Sequence, residues 1–285
     1  MTDFLAAAVQ LTSGQDPEVN FSAAEEQIDL AARRGAELVG LPENFAFMGD
    51  DERRLELAPS LAEQCSRFLV TMARRYQVVL LGGGFPVPVG DGSRTLNRAE
   101  LVDRDGQTLG RYDKIHLFDV DLPDGNTYRE SATVTPGEAL PPVVDVPGMC
   151  RLGVSICYDV RFPELAITMR KKGASILVYP GAFNTVTGPP HWELLARARA
   201  LDAQAFVVCA SPARNPDSSY QAYGHSVVVD PWGAPLERCA GHGEEILFAD
   251  LDLTRVAEVR NSMKLLDQRR PDVYGTFIEG VDWKE

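Results

Sequence analysis

Little in this chain points to a covalent staple, a metal centre or a polyanionic partner. Its five cysteines, Cys65, Cys150, Cys157, Cys209 and Cys239, form no CxxC pair and no regular spacing. That speaks against a disulfide framework and against a zinc site. The four histidines, His116, His191, His225 and His242, make no HExxH pattern. Basic residues are the minority: 28 Lys and Arg face 41 Asp and Glu, a formal charge of −13. The basic footprint of a nucleic-acid binder or of a protein held to acidic lipid is missing. No segment approaches the ~20 apolar residues that span a bilayer. The start, Met1-Thr2-Asp3, lacks a basic region, and the apolar run 4–9 is too short for a signal peptide. The expected setting is the cytoplasm, with a small molecule as partner.

What remains is an ordinary globular balance, 45% hydrophobic and 24% charged, in 285 residues. That length can support one large core.

The main organisational signal is an internal duplication. The apolar run 4–9 leads to a helical pattern over 23–34 and then to Gly35-Ala36-Glu37-Leu38-Val39-Gly40-Leu41-Pro42-Glu43-Asn44-Phe45. The apolar run 152–156 leads to a helical pattern over 163–172 and then to Gly173-Ala174-Ser175-Ile176-Leu177-Val178-Tyr179-Pro180-Gly181-Ala182-Phe183. The echo continues: helical patterns over 61–76 and 191–203 precede apolar strands at 78–81 and 206–209. Each then reaches a hairpin, turned at Asp103-Arg104-Asp105-Gly106 in one half and Asp230-Pro231-Trp232-Gly233 in the other. Short continuous apolar strands between helices predict strands buried on both faces.

The fold class that follows is α/β: two halves stacked as a four-layer αββα sandwich with a pseudo-twofold axis. One domain over residues 1–285 is expected, because no linker divides the halves; the Pro-rich stretch 136–147 reads as a connecting loop. Thr254 is placed to cap a last helix through about residue 267. The tail 269–285 is expected to pack on another subunit.

In open α/β sheets ligands bind beyond the carboxyl ends of the strands. Glu43 stands just past its strand in the first half. Cys157 ends the run 152–156, ahead of a turn and a helix, where the helix dipole favours thiolate and a strand-to-helix turn can expose a nucleophile. A lone cysteine is also often a buried inert thiol. A nucleophile needs a base and an oxyanion donor; Lys114, in the polar cluster Asp113-Lys114-Ile115-His116, is a candidate or a solvated surface cation. Gly82-Gly83-Gly84 lacks the ending of a phosphate loop and is expected to serve a turn or a close approach.

Three segments together resemble the signature blocks of the nitrilase, or carbon–nitrogen hydrolase, superfamily. They are Leu41-Pro42-Glu43-Asn44-Phe45, Tyr112-Asp113-Lys114-Ile115-His116-Leu117-Phe118, and Gly153-Val154-Ser155-Ile156-Cys157-Tyr158-Asp159-Val160-Arg161-Phe162-Pro163-Glu164. They stand in that family's order, and the likeness runs from about residue 4 to residue 274. The resemblance implies an αββα sandwich that dimerises in many members and needs no metal or organic cofactor. It implies Cys157 as nucleophile, Glu43 as general base, and Lys114 with the N–H of Tyr158 as oxyanion donors. It also implies a second glutamate upstream of a Pro-Gly, and Glu130 fits that position better than Glu138. A glutamate in such company is expected to have its pKa raised, and the ammonium to favour thiolate.

Within the superfamily, residues 178–184, 187–189, 191–195 and 210–214 resemble the omega-amidases, which hydrolyse amides of the 2-oxoglutaramate type. Residues 41–47 and 82–85 are closer to the deaminated-glutathione amidases. Both substrates are small ω-amides bearing carboxylates. Arg161 either pairs such a carboxylate or forms a salt bridge with Glu164. Tyr158, Phe183 and Thr187 are expected pocket walls, with a core role open for Phe183. The leading expectation is a cysteine-dependent amidase releasing acid and ammonia through a thioester. A nitrile-hydrolysing enzyme would use the same cysteine. A non-catalytic scaffold would have lost one of Glu43, Lys114, Glu130 or Cys157, and all four are present.

Overall fold

The first strand, β1 (Phe4–Gln10), shows why the chain builds layers. Successive side chains of a strand point to opposite faces. Ala6 and Ala8 join a core shared with the second half of the chain, whereas Ala7 and Val9 pack into a separate core under two helices. These helices are α1 (Pro17–Arg33) and, after β2 (Leu38–Gly40), α2 (Asp51–Tyr76). The computed structural model describes residues 3–274.

The remaining elements of the first half are β3 (Val79–Val89), β4 (Arg94–Val102), β5 (Thr108–Asp113) and a small ribbon of β6 (Asp119–Asp121) and β7 (Thr127–Arg129). The second half runs β8 (Val143–Val146), β9 (Cys150–Val154), α3 (Pro163–Lys171), β10 (Ile176–Val178), α4 (Gly188–Ala203), β11 (Phe206–Cys209), β12 (Val227–Val229) and β13 (Pro235–Arg238). Then come β14 (Glu245–Leu251), α5 (Leu253–Ser262) and α6 (Pro271–Tyr274).

Two six-stranded sheets result, ordered β14-β1-β2-β3-β4-β5 and β8-β9-β10-β11-β12-β13. The duplication is visible strand by strand. β1, β2 and β3 are parallel and are followed by two antiparallel strands; β9, β10 and β11 repeat this. Each set gains one further antiparallel edge strand, β8 beside β9 and β14 beside β1. The edge strand of the first sheet therefore comes from the far end of the chain. The shared core lies between the sheets: Phe4, Leu38, Val79 and Leu101 meet Val144, Leu152, Ile176 and Phe206. Burying each such side chain contributes roughly 1.5–3 kcal/mol.

Several boundaries differ from the sequence reading for local reasons. The first helix begins at Pro17, not residue 23, because the Asp16 side chain accepts the Glu18 N–H at 3.0 Å and Pro17 suits the first helical position. The second begins at Asp51, capped by Asp50, and runs through Pro59. The last long helix ends at Ser262, and its cap is Asp252, to which Thr254 donates both its N–H and its hydroxyl. Gly82-Gly83-Gly84 lies inside β3 at a register shift, so the close approach is real and the turn is not. A Cβ on Gly83 would overlap the Pro42 carbonyl that leads to Glu43. Most of the tail expected at a subunit interface, residues 275–285, lies outside the described residues. Among the described residues no helix is long and apolar enough to cross a membrane.

Candidate active site

Four loops leaving the carboxyl ends of strands converge at one end of the sandwich. Glu43 follows β2, Lys114 follows β5, Cys157 follows β9, and Ala182 follows β10. Glu130 opens a short 3-10 turn after β7.

Cys157 opens a 3-10 turn over Cys157–Arg161 with φ at +46°, in the left-handed region that a non-glycine residue rarely adopts. Its N–H donates to the Pro180 carbonyl at 2.7 Å, and the N–H of Asp159 donates to Ile156 at 3.0 Å. The amide between them, that of Tyr158, has no backbone acceptor among the described residues. Gly181 lets the facing loop come close: a Cβ there would lie 3.1 Å from the Cys157 Cα.

Glu43 and Lys114 are almost fully buried. Glu43 Oε2 accepts the Ala182 N–H at 2.8 Å; Oε1 accepts the Asn97 amide at 2.8 Å and Lys114 Nζ at 3.3 Å. Lys114 Nζ also meets Glu130 Oε1 at 3.0 Å and Oε2 at 2.8 Å. Of the two glutamates weighed from the sequence, Glu130 is the one beside Lys114; Glu138 is exposed. Glu130 Oε2 in turn accepts the Phe118 N–H at 2.6 Å.

The electrostatics follow from two carboxylates around one ammonium. Burial alone would lower the Lys114 pKa, but the carboxylates of Glu130 and Glu43 outweigh it and hold it well above the ordinary lysine value. Burial raises the Cys157 pKa, and Glu43 raises it further by its charge and by a hydrogen bond to the thiol; Lys114 pulls the other way and loses. Lys114 does favour the thiolate, yet burial and the adjacent carboxylate together outweigh it. The ammonium is shared between two anions, so it cannot offset both burial and the adjacent carboxylate.

These groups line a cavity of about 200 Å³. Phe118, Tyr128, Tyr158, Phe183 and Tyr220 form its aromatic wall, with Phe118 and Tyr158 ring centroids 5.3 Å apart. Thr187, Asn97, Arg54 and Arg129 are also at its surface. Tyr158, Phe183 and Thr187, the walls expected from the sequence, line it. Arg161 does not: it lies outside the lining residues, its guanidinium carbon 5.3 Å from the Tyr158 ring and 4.9 Å from the Phe183 ring. Its recorded polar neighbour is His191 Nδ1 at 3.4 Å, not Glu164.

Sequence reasoning missed Asn97, Arg54, Tyr128 and Tyr220. None sits in a motif; each arrives from a strand, a helix or a loop distant in the chain. No histidine lines the cavity. His116 stacks on Phe162 at 3.5 Å and bonds Asp159, outside the cavity. Among the described residues no group of three or more His, Cys, Asp or Glu side chains could hold a metal ion.

The chain has known relatives. The carbon-nitrogen hydrolase family model matches residues 5–261. A deaminated glutathione amidase of Synechocystis sp. is 46% identical over 270 residues, covering 94% of this chain and 99% of that protein. The omega-amidase NIT2 of Homo sapiens is 42% identical over 279 residues, covering 98% and 99%. The crystal structure of the C. elegans NitFhit protein superposes with a TM-score of 0.89 at 39% identity, covering 95% of this chain and 66% of that longer one. A match over nine tenths of the sequence, in fold as well as in residues, means that the chain belongs to the carbon–nitrogen hydrolase family.

Proposed function

We propose that this enzyme hydrolyses a small carboxylate-bearing ω-amide, of the 2-oxoglutaramate type, to the acid and ammonia. The observation that carries the reading is the meeting of Cys157, Glu43, Lys114 and Glu130 in one buried cavity.

The chemistry is that of a thiol that starts protonated. Glu43, hydrogen-bonded to the thiol, takes its proton as sulfur attacks the amide carbon. The oxyanion is held by Lys114 Nζ and the N–H of Tyr158. As the tetrahedral intermediate collapses, protonated Glu43 gives its proton to the departing nitrogen, and ammonia leaves a thioester on Cys157. Glu43 then deprotonates water, which attacks the thioester; the carboxylic acid is released and the proton returns to sulfur. Glu130 keeps Lys114 charged and aimed. The dry walls strengthen every one of these interactions.

Deaminated glutathione is the second reading, favoured by residues 41–47 and by the cyanobacterial relative's name. The test compares ammonia release from 2-oxoglutaramate, from deaminated glutathione and from a simple nitrile. Preference for the first, lost in Cys157→Ala, supports the proposal; equal activity in that variant overturns the nucleophile assignment.

We also propose a homodimer working in the cytoplasm, without a nucleic-acid partner. The acidic charge supports the last point, and five unpaired cysteines fit a reducing compartment. Exposed Leu194 and Leu201 on α4, with Trp232 and Leu236 on the β12–β13 hairpin, support a partner surface.

A further inference from the structure

Asn97 touches both carboxylates of the site without itself being charged. It lies in β4, opposite Pro86 and next to the register shift of β3. Its Nδ2 donates to Glu43 Oε1 at 2.8 Å and reaches Glu130 Oε1 at 3.4 Å. Its backbone carbonyl accepts the Lys114 N–H at 2.9 Å. The amide orientation is fixed by this chemistry, since the flipped form would set its oxygen against two carboxylates.

The far end of the same amide has its own surroundings. Asn97 Oδ1 is buried without a protein partner, and so are Thr95 Oγ1 and Arg54 Nε. All three residues line one small second cavity of about 10 Å³, which shares Asn44, Arg54 and Asn97 with the main one. Buried polar atoms in native proteins find partners, and a polar space of this size suits one water with two to four contacts. Gly84 allows the packing, because a Cβ there would overlap Asn97 Oδ1 and lie 3.2 Å from the Glu43 Cγ.

We infer that Asn97 is a positioning residue: its amide holds the Glu43 carboxylate beside the thiol and keeps Glu130 apart from it, and a one-water polar site shared with Thr95 and Arg54 locks that amide. The inference rests on the assignment of Glu43 as the base. A donor to an ionised carboxylate stabilises the charged form. Removing it therefore weakens the hold on the ionised base and its alignment with the thiol.

The test uses Asn97→Leu, close in shape but without a donor, with Asn97→Ser and Thr95→Val as milder variants. Asn97→Leu is expected to lower kcat about 10- to 100-fold, the range for one hydrogen bond to a charged group. KM should change less than about threefold, and the acidic limb of the kcat/KM–pH profile should move upward. Asn97→Ser and Thr95→Val should move the same limb the same way by less. A role in folding alone would lower the melting temperature and the active fraction but leave the limb in place. An unmoved limb in whichever of the three variants fold overturns the inference. Cys157→Ala and Glu43→Gln separate it from the parent reading. If those two stay active, the proposed mechanism falls; if they are inactive while Asn97→Leu behaves as wild type, only this inference falls.

Discussion

Tyr112 donates its hydroxyl to Asp159 at 2.7 Å, tying the strand that delivers Lys114 to the turn that delivers Cys157. Asp159 is fully buried and accepts three further bonds: from the N–H of Ile156 at 3.1 Å, the N–H of His116 at 3.2 Å, and His116 Nδ1 at 2.8 Å. A carboxylate is acceptor-only, which suits four donors. Asp159→Asn turns an NH₂ group toward some of those donors. The variant should lose roughly 2–4 kcal/mol of stability and more than about tenfold in kcat as the lysine loop and the cysteine turn lose register. Tyr112→Phe should cost only about 1 kcal/mol. Urea denaturation alongside steady-state kinetics measures both, and a wild-type kcat in folded Asp159→Asn would refute the link.

That pair also shows what a sequence yields. Glu43, Lys114 and Cys157 were legible because each sits in a block whose neighbours are constrained for the same chemistry, and because the duplication indicated where strands end. Asp159 stood in a quoted block, yet its role depends on Tyr112 and His116, far off in the chain. Asn97 stands between Leu96 and Arg98 in β4, on the face that also carries Ala99 and Leu101, so no clean period marks it as a site residue. Tyr128 comes from the three-residue strand β7 and Tyr220 from a loop, both too short or irregular for a period to show, yet they build the wall. The helix starts were missed because Asp16 and Asp50 precede stretches whose first turns are polar, and because Pro59 mimics a boundary inside α2.

Buried thiols predict an alkaline weakness. Burial pushes the Cys150 and Cys239 thiols up to about 12, and Cys65, Cys209 and Cys157 also rise. The unfolded thiols ionise near ~8.5–9. Above that pH the native state holds more protons than the unfolded one, so stability falls as pH rises. The contribution is whole below the unfolded pKa and is lost toward the folded one, at a limiting ~1.4 kcal/mol per pH unit per thiol. Unfolding free energies at pH 8, 9 and 10 should decline with a steepening slope, and Cys209→Ala should flatten it by one proton's share. A level profile would contradict thiols that stay protonated in the fold.

The outer face of α4 predicts the oligomer. Leu194 is 65% exposed and Leu201 49% exposed, one heptad apart on the same side of the helix. A Cβ on Gly233 would lie 2.9 Å from Leu201 Cγ, which places the hairpin tip bearing Trp232 beside that leucine. Leu194→Glu together with Leu201→Glu puts two charges into this patch without touching the cavity. Light scattering should show the mass of the wild type halving in the double variant. An unchanged mass would rule this patch out as the contact between subunits.

Arg54 and Arg161 compete for the substrate carboxylate, and the cavity discriminates between them; Arg129, also at its surface, is engaged by Asp121 and by the Val120 and Tyr128 carbonyls. Arg161 is held between the Tyr158 and Phe183 rings, outside the lining. Arg54 lies at the cavity surface, where its Nη2 contacts Asp51 at 2.8 Å and Thr133 Oγ1 at 2.5 Å, leaving Nη1 for a ligand. A charge-assisted bond lost from substrate binding costs about 10- to 100-fold in affinity. Arg54→Gln should therefore raise KM about tenfold or more for a carboxylate-bearing amide and leave kcat within a few fold. A neutral amide of equal length should show no such rise, which separates charge recognition from damage to the wall. Arg161→Gln should affect both amides alike, because it loosens the two rings rather than a carboxylate contact. The reverse pattern, with Arg161→Gln selective for the charged amide, would place the anion behind the rings and require them to part on binding.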